Sequence, residues 1–515
     1  MIMIKNFKWL LLVSLSFVAC NNSDEEVVVY TTSDGLLPTA GSADFSKYVA
    51  LGDSFAAGFS DGALFIEAQK GSYPNILAQQ FSLVGGGAFT NPFMKDNIGG
   101  FSLGGAQIPQ FGPRLYFDTV ITATNLAPTP KPVTGISGTS ISDKLTGSFS
   151  NMGIPGAKAI HLDFAGYGSS AGNPYFARFA SKPTATVIDD ALVQSPTFFS
   201  LWIGGNDELG YATSGGDPTV NPLTPPATFN AVYNSMLTKL TAGGRKGVIA
   251  NLPYVTTLPY FYVIQYNQLT QANLTVNNVN LVSALNAQLY TPLNNALKFL
   301  GQGNRINVLS STGNNPMLIN DETLPNLGPQ LTQVLIGGGL DAQTAGALGF
   351  IFGQARQAVP TDLICLSASS RIGKVASVDA DGIASPAPSL NQLGITFPLP
   401  DRYVLLPSEV AEIKVATDAY NSTIEAAATT FNLAIFNAKD TMNGLTSAGG
   451  ITSNGFTLRS TYATGGAFSL DGVHPSPRGY ALIANEFIKA INAKYGSNLK
   501  GVDLGNYRIL FPKTL

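Results

Sequence analysis

Three residue types in this 515-residue chain stand where acyl transfer would need them. Ser54 closes the tripeptide Gly52-Asp53-Ser54, directly after the apolar run Tyr48-Val49-Ala50-Leu51. A serine hydroxyl is a weak nucleophile until a base takes its proton. The chain holds two histidines. One of them, His474, follows a carboxylate in Asp471-Gly472-Val473-His474-Pro475. A carboxylate that close on a loop can fix the imidazole tautomer and stabilise the imidazolium formed during attack. The reaction also needs donors aimed where negative charge develops. Candidates are the Ser54 N–H, the Gly156 N–H that ends Asn151–Gly156, and the side-chain amide of Asn206 in Gly204-Gly205-Asn206-Asp207. Gly153 is an alternative to Gly156. His161 has no partner motif and reads as a structural or surface histidine. Cys365, within Leu363-Ile364-Cys365-Leu366, reads as core. Asp207 could orient the Asn206 loop without taking part in the chemistry.

The elements that must hold these groups follow from the apolar pattern. Short apolar runs predict strands at about 48–51, 148–151, 197–203, 246–252 and 433–436. The third is apolar at nearly every position, so both its faces are buried. Helical spacing lies between the runs, with Phe229, Val232, Met236, Leu237 and Leu240 the clearest case. Ser72-Tyr73-Pro74 reads as a helix start, Ser408 as the cap of a helix reaching about 429, and Ser476-Pro477 as the cap and first residue of a final helix. Strands alternating with helices argue for a parallel α/β sheet. The candidate nucleophile and oxyanion donors then follow successive strands, at the carboxyl edge where such sheets bind ligands. Two stretches interrupt the pattern. One, about 85–146, is rich in Gly, Pro and Thr. The other, about 259–400, has a helical stretch at 279–300 and an apolar stretch at 334–359, read as a packed cap rather than a mobile lipid-touching lid. Interrupting polar residues and glycines exclude a transmembrane helix at 334–359.

In this order the motifs resemble the SGNH (GDSL-type) serine hydrolases. Gly52-Asp53-Ser54 matches the nucleophile block, with Phe55 where the family name has Leu. Gly156 matches the oxyanion glycine, Gly204-Gly205-Asn206-Asp207 the Gly-x-Asn-Asp block, and Asp471 and His474 the Asp-x-x-His block. The resemblance implies a three-layer α/β/α, flavodoxin-like domain with a five-stranded parallel sheet and large insertions. It implies ester hydrolysis through an acyl-enzyme, carboxylesterase- or lipase-like, without cofactor or metal. The insertions are not explained by it. Polysaccharide O-deacetylation, for which Tyr260-Phe261-Tyr262 and Tyr266 could supply sugar-binding aromatics, is the alternative within the same fold. A non-catalytic surface protein built on the scaffold is the other.

Composition narrows the setting. Charged residues make up 12% and the net charge is −3, so no electrostatic pull toward nucleic acid is expected. Two cysteines and two histidines speak against a Cys/His zinc site. Lys5 and Lys8 precede the apolar stretch Trp9–Val18, which is too short to span a bilayer and suits a signal peptide. It ends Phe17-Val18-Ala19-Cys20, which resembles a bacterial lipoprotein signal. The expected organisation is a signal peptide at 1–19, a linker at 20–45 lipid-anchored through Cys20, and the hydrolase domain at 46–515. Asn21 after the cysteine resembles an outer-membrane lipoprotein, and the acidic residues beyond either resemble a surface-export signal or are only a spacer; the resemblance implies an outer-membrane anchor, periplasmic or surface-exposed. Expected partners are a small-molecule or lipid ester and the membrane that holds the anchor.

Overall fold

A computed structural model describes residues 35–120, 129–276 and 279–515. The stretch 1–19 expected to be a signal peptide, and Cys20, lie outside the described residues. Of the first unit, Met1–Pro38, only 35–38 are described, and they hold no helix or strand.

The second unit, Thr39–Leu515, is built on five strands: β1 (Tyr48–Gly52), β2 (Asn151–Gly153), β3 (Phe198–Trp202), β4 (Lys246–Ala250) and β5 (Ala434–Phe436). They pair in the order β2-β1-β3-β4-β5, all parallel. This is the flavodoxin-like order, whose switch point lies between β1 and β3. Register aligns the strand ends there. Gly52 stands opposite Gly153 on one side and Trp202 on the other. Ser54, Gly156 and Asn206 therefore leave one rim within a few residues of it.

Alternation along β3 shows why every residue in it is buried. Phe198 and Trp202 face one helical layer, formed by α1 (Tyr73–Ser82) and the long C-terminal helix Pro477–Tyr495. There Phe198 meets Phe81 at 5.7 Å and Trp202 meets Phe487 at 5.9 Å between ring centroids. The opposite layer holds α2 (Val187–Leu192), α3 (Pro226–Leu240) and α4 (Pro407–Thr430), where Phe229 stacks on Tyr420 at 4.3 Å. The final helix, α5 (Pro477–Tyr495), is capped as its sequence predicts: Ser476 Oγ accepts from Gly479 N–H at 3.0 Å.

Three boundaries differ from the sequence reading. β2 starts at Asn151 rather than near 148, because Ser150 and Asn151 first give their N–H groups to Thr90 O. At α4, Leu406 rather than Ser408 holds the cap position. Pro407 begins the helix, and the Glu409 carboxylate accepts the Leu406 N–H at 2.6 Å. The stretch at 279–300 opens as a ribbon strand, Val279–Asn280, and becomes helical from Val282 through Phe299, with a π turn at Asn286–Tyr290.

The 85–146 stretch carries two short ribbons, Ser102–Leu103 with Ala106–Gln107 and Leu115–Asp118 with Thr129–Pro132. Residues 264–406 gather a hydrophobic cluster of their own around Leu293, Leu297, Leu318, Leu331 and Phe352. The apolar stretch within it forms two packed helices, Gly328–Gly337 and Ala342–Phe352. Among the described residues, no helix is long and apolar enough to cross a membrane.

Candidate active site

β1 delivers Ser54 to the rim. Asp53 caps the single helical turn Ser54–Ala57, its carboxylate accepting from Phe55 N–H at 2.9 Å. Asn151 and Gly153 on β2 hold that turn from below. Asn151 Nδ2 donates to Ala56 O at 3.0 Å, and a Cβ on Gly153 would overlap the backbone nitrogen of Ala57. Packing against this turn thus accounts for the glycine at 153. Gly156 lies beyond the strand end, exposed, at φ +80° in a turn closed by Ala157 N–H to Ile154 O. The Asn206 amide donates to Ala157 O at 3.0 Å, which ties it to the Gly156 turn and leaves its second N–H for a ligand. Ser54 and Asn206 line one small cavity with Phe55, Trp202, Leu252 and Leu258.

His474 arrives from 420 residues away and stands against Ser54, Nε2 to Oγ 2.8 Å. Its Nδ1 meets Asp471 Oδ2 at 2.9 Å. The segment just after the nucleophile fixes that loop. Ser60 Oγ donates to Pro475 O at 3.1 Å, Asp61 N–H to Ser469 Oγ at 3.0 Å, and Gly62 N–H to Asp471 Oδ2 at 2.9 Å. In return Leu470 N–H donates to Asp61 Oδ1 at 2.9 Å. Asp61 takes a left-handed conformation at φ +52°, which aspartate tolerates better than most residues. The imidazole is also held by rings, Phe59 at 4.6 Å and Phe55 at 5.5 Å between centroids. The sequence reading did not name Phe59, Asp61 or Gly62. The Asp-Gly pair was a visible turn signal, but nothing local said which loop it would meet.

Electrostatics keep the Asp471 carboxylate charged beside His474. Burial alone would raise the Asp471 carboxyl. The facing His474 and the N–H groups of His474 and Val473 outweigh it and hold the carboxyl at about 2. Asp53 behaves in the opposite way: burial pushes it up to about 7, against the Phe55 N–H bond and the nearby His474. Burial likewise lifts Asp61 to about 7, with Asp471 adding to the effect. Asp207 is buried and raised by that burial, and its Oδ2 accepts from Ala159 N–H at 2.8 Å. This carboxylate braces the turn beside Asn206.

The other candidates fall outside this cluster. His161 Nδ1 accepts from Lys158 N–H at 3.0 Å and its ring stacks on Tyr167 at 4.6 Å, a structural role. Cys365 is fully buried, and burial pushes its thiol up to about 12. Of the tyrosine segment, Tyr260 lines a wide cleft with Asn320, Arg371 and Tyr403, Phe261 is buried, and Tyr262 is exposed. Among the described residues one carboxylate trio, Glu322, Asp401 and Glu409, brings an oxygen from each within 4.8 Å of the others. Burial first, and then the neighbouring carboxylates, lift Asp401 to about 7; burial, and after it the charges of Asp401 and Glu322, lift Glu409 to about 8.

These shifts give stability a definite pH dependence. A carboxyl whose folded pKa is raised binds its proton more tightly in the native state, so stability falls as pH rises from about 4 through the folded value. Asp53, Asp61, Asp401 and Glu409 all act in that sense up to about 7 or 8. Asp471, held near 2, acts in the opposite sense, and its contribution is lost only as pH falls below about 4. Thermal unfolding followed across pH should show a midpoint that declines from pH 5 to 8. Glu409→Gln, which keeps an acceptor for Leu406 N–H, should flatten the decline. An unchanged slope in that variant would show that Glu409 does not titrate in this range.

The sheet order defines an α/β protein with a five-stranded parallel sheet, and Ser54, His474 and Asp471 form one hydrogen-bonded chain at its carboxyl rim. Residues 375–487 match the family described as GDSL-like Lipase/Acylhydrolase, a segment that contains Asp471 and His474 and ends inside α5. The likeness to that family is carried by this segment alone, which leaves Ser54, Gly156 and Asn206 outside the match. No curated protein and no solved structure matches the chain.

Proposed function

We propose that the chain hydrolyses carboxylic esters through an acyl-enzyme on Ser54. His474 takes the Ser54 proton as the hydroxyl attacks the ester carbonyl, and Asp471 holds the imidazole and offsets its charge. The Ser54 and Gly156 N–H groups and the Asn206 amide receive the oxyanion. The protonated His474 then gives its proton to the leaving alcohol, and water attacks the acyl group by the reverse route. The observation that carries this reading is the unbroken chain Ser54 Oγ–His474 Nε2 at 2.8 Å and His474 Nδ1–Asp471 Oδ2 at 2.9 Å.

A second reading is polysaccharide O-deacetylation. It is favoured by the polar cleft that holds Tyr260, whose N–H donates to Gly472 O beside the Asp471–His474 loop. A series of nitrophenyl esters separates the two, since a steep preference for acetate would support deacetylation and remove the lipase-like reading.

The chain is also proposed to be lipid-anchored at Cys20 on the outer membrane, with the sequence pattern at 17–26 as its support. One experiment addresses nucleophile and anchor together. A fluorophosphonate label should modify Ser54, found by peptide mass, and should follow the membrane fraction in the native chain and the soluble fraction in Cys20→Ser. Label on another residue would overturn the nucleophile. Label that stays with the membrane in Cys20→Ser would overturn the anchor.

A further inference from the structure

We infer that the acyl chain of the substrate runs inward from Ser54, past Phe55 and Trp202, into an apolar pocket between β5 and the C-terminal helix, and that the substrates are therefore esters of medium-length, unbranched fatty acids. This inference rests on the proposed ester hydrolysis at Ser54 and adds the location and chemistry of the acyl site.

Two cavities share a wall here. The one at Ser54 and Asn206 has Phe55, Trp202, Pro253 and Leu258 in common with a second, almost wholly apolar one. The second is walled by Phe436 at the end of β5, by Met442 and Leu445 of the helix Ala438–Thr446, and by Leu482 and Ile483 of α5. Its lining contains two side chains with a polar atom, and both atoms are engaged elsewhere. Trp202 Nε1 donates to Asn251 O at 3.2 Å, and Thr441 Oγ1 donates to Asn437 O at 3.2 Å. Water needs two or more polar partners to settle in a cavity, and this one offers none, so it is suited to hydrocarbon. The wall between the two cavities holds Phe55, the residue directly after the nucleophile, whose ring stacks on Trp202 at 5.1 Å. An acyl carbon attached to Ser54 Oγ thus begins beside the common wall of both cavities. The polar cleft that holds Tyr260 shares no lining residue with either.

Each methylene buried in such a pocket should raise kcat/KM by about fourfold. Wild-type protein should therefore favour nitrophenyl octanoate over nitrophenyl acetate by at least about 100-fold, with the gain ending where the pocket is full. Ala438→Leu narrows the pocket and should lower the octanoate-to-acetate ratio at least tenfold. Met442→Ala deepens it and should move the preferred chain to a longer acid. Opposite shifts in the two variants cannot come from general loss of folding. A ratio that both variants leave unchanged would overturn the inference.

A binding measurement stands apart from turnover. Trp202 is the sole tryptophan beyond Trp9, so in a Trp9→Phe background it reports on the wall the two cavities share, and Ala438→Leu, at a residue that lines only the second, tells them apart. Decanoate brominated at its far end should quench its fluorescence saturably, and Ala438→Leu should weaken the effect. Absence of quenching in the wild-type pocket would overturn the inference even if esters are cleaved. Should no ester be cleaved while quenching persists, the hydrolase reading fails and the hydrocarbon site stands.

Discussion

Ser54→Ala should lower kcat by on the order of 10³-fold or more while leaving the fold in place. The Ser54 hydroxyl is nearly buried and its hydrogen bond is to His474 Nε2, so its removal costs one contact at a loop that four other hydrogen bonds already secure. The thermal midpoint should therefore move little. The kinetic loss is large because nucleophile and base act as one unit: without the hydroxyl, His474 has no proton to take and no covalent intermediate forms. For the same reason His474→Ala should fall about as far, and the double variant hardly further. Residual turnover would come from the Asn206 amide and the backbone donors polarising the ester toward water. Stopped-flow release of nitrophenol reads both parts of the claim, a burst in the wild type and none in Ser54→Ala. A Ser54→Ala protein that keeps its turnover would remove the nucleophile assignment altogether.

Ser54 and Asn206 were legible because each follows a buried parallel strand, and such strands have a local signature. Apolar residues run at nearly every position and then stop at glycine. The in-register ends of β1, β2 and β3 explain why three motifs far apart in the chain leave the sheet together. The relation of His474 to Ser54 was legible only from residue types, since two histidines left few choices. What joins them, the 60–62 segment against the 469–475 loop, is a pairing over more than 400 residues with no periodicity to announce it. Gly153 shows the limit from another side. As a residue type it competed with Gly156 for the oxyanion role, and only its packing against Ala57 explains why a glycine stands there. The strand at 148–151 was misplaced because Phe149 and Ser150 continue an apolar-polar alternation, while the N–H groups of Ser150 and Asn151 turn aside to Thr90 O. The acyl pocket was invisible for a similar reason. Its walls come from β3, β5, the 438–446 helix and α5, and each residue in it reads separately as core.

Asp471→Asn isolates the part of the site that depends on charge and tautomer rather than on shape. Each carboxylate oxygen of Asp471 accepts from two donors. Oδ1 takes the N–H groups of Val473 and His474 at 2.9 and 2.8 Å, and Oδ2 takes Gly62 N–H and His474 Nδ1, both at 2.9 Å. An amide has one oxygen, so its NH₂ must face one of these pairs. If it faces the backbone pair, two N–H groups lose their acceptor and the loop that carries His474 loosens. If it faces Gly62 and His474, the imidazole can pair with it only by accepting at Nδ1, which puts the proton on Nε2, where Ser54 needs a base. Either outcome should lower kcat by on the order of 10⁴-fold at neutral pH. The second leaves a spectroscopic mark. His161 accepts at Nδ1 from Lys158 N–H, so neutral His161 carries its proton on Nε2, whereas neutral His474 beside Asp471 carries it on Nδ1. With only two histidines in the chain, ¹⁵N-imidazole spectra should show two opposite tautomers in the wild type and two alike in Asp471→Asn. A variant that keeps opposite tautomers, and most of its turnover, would mean that Asp471 does no more than shape the loop.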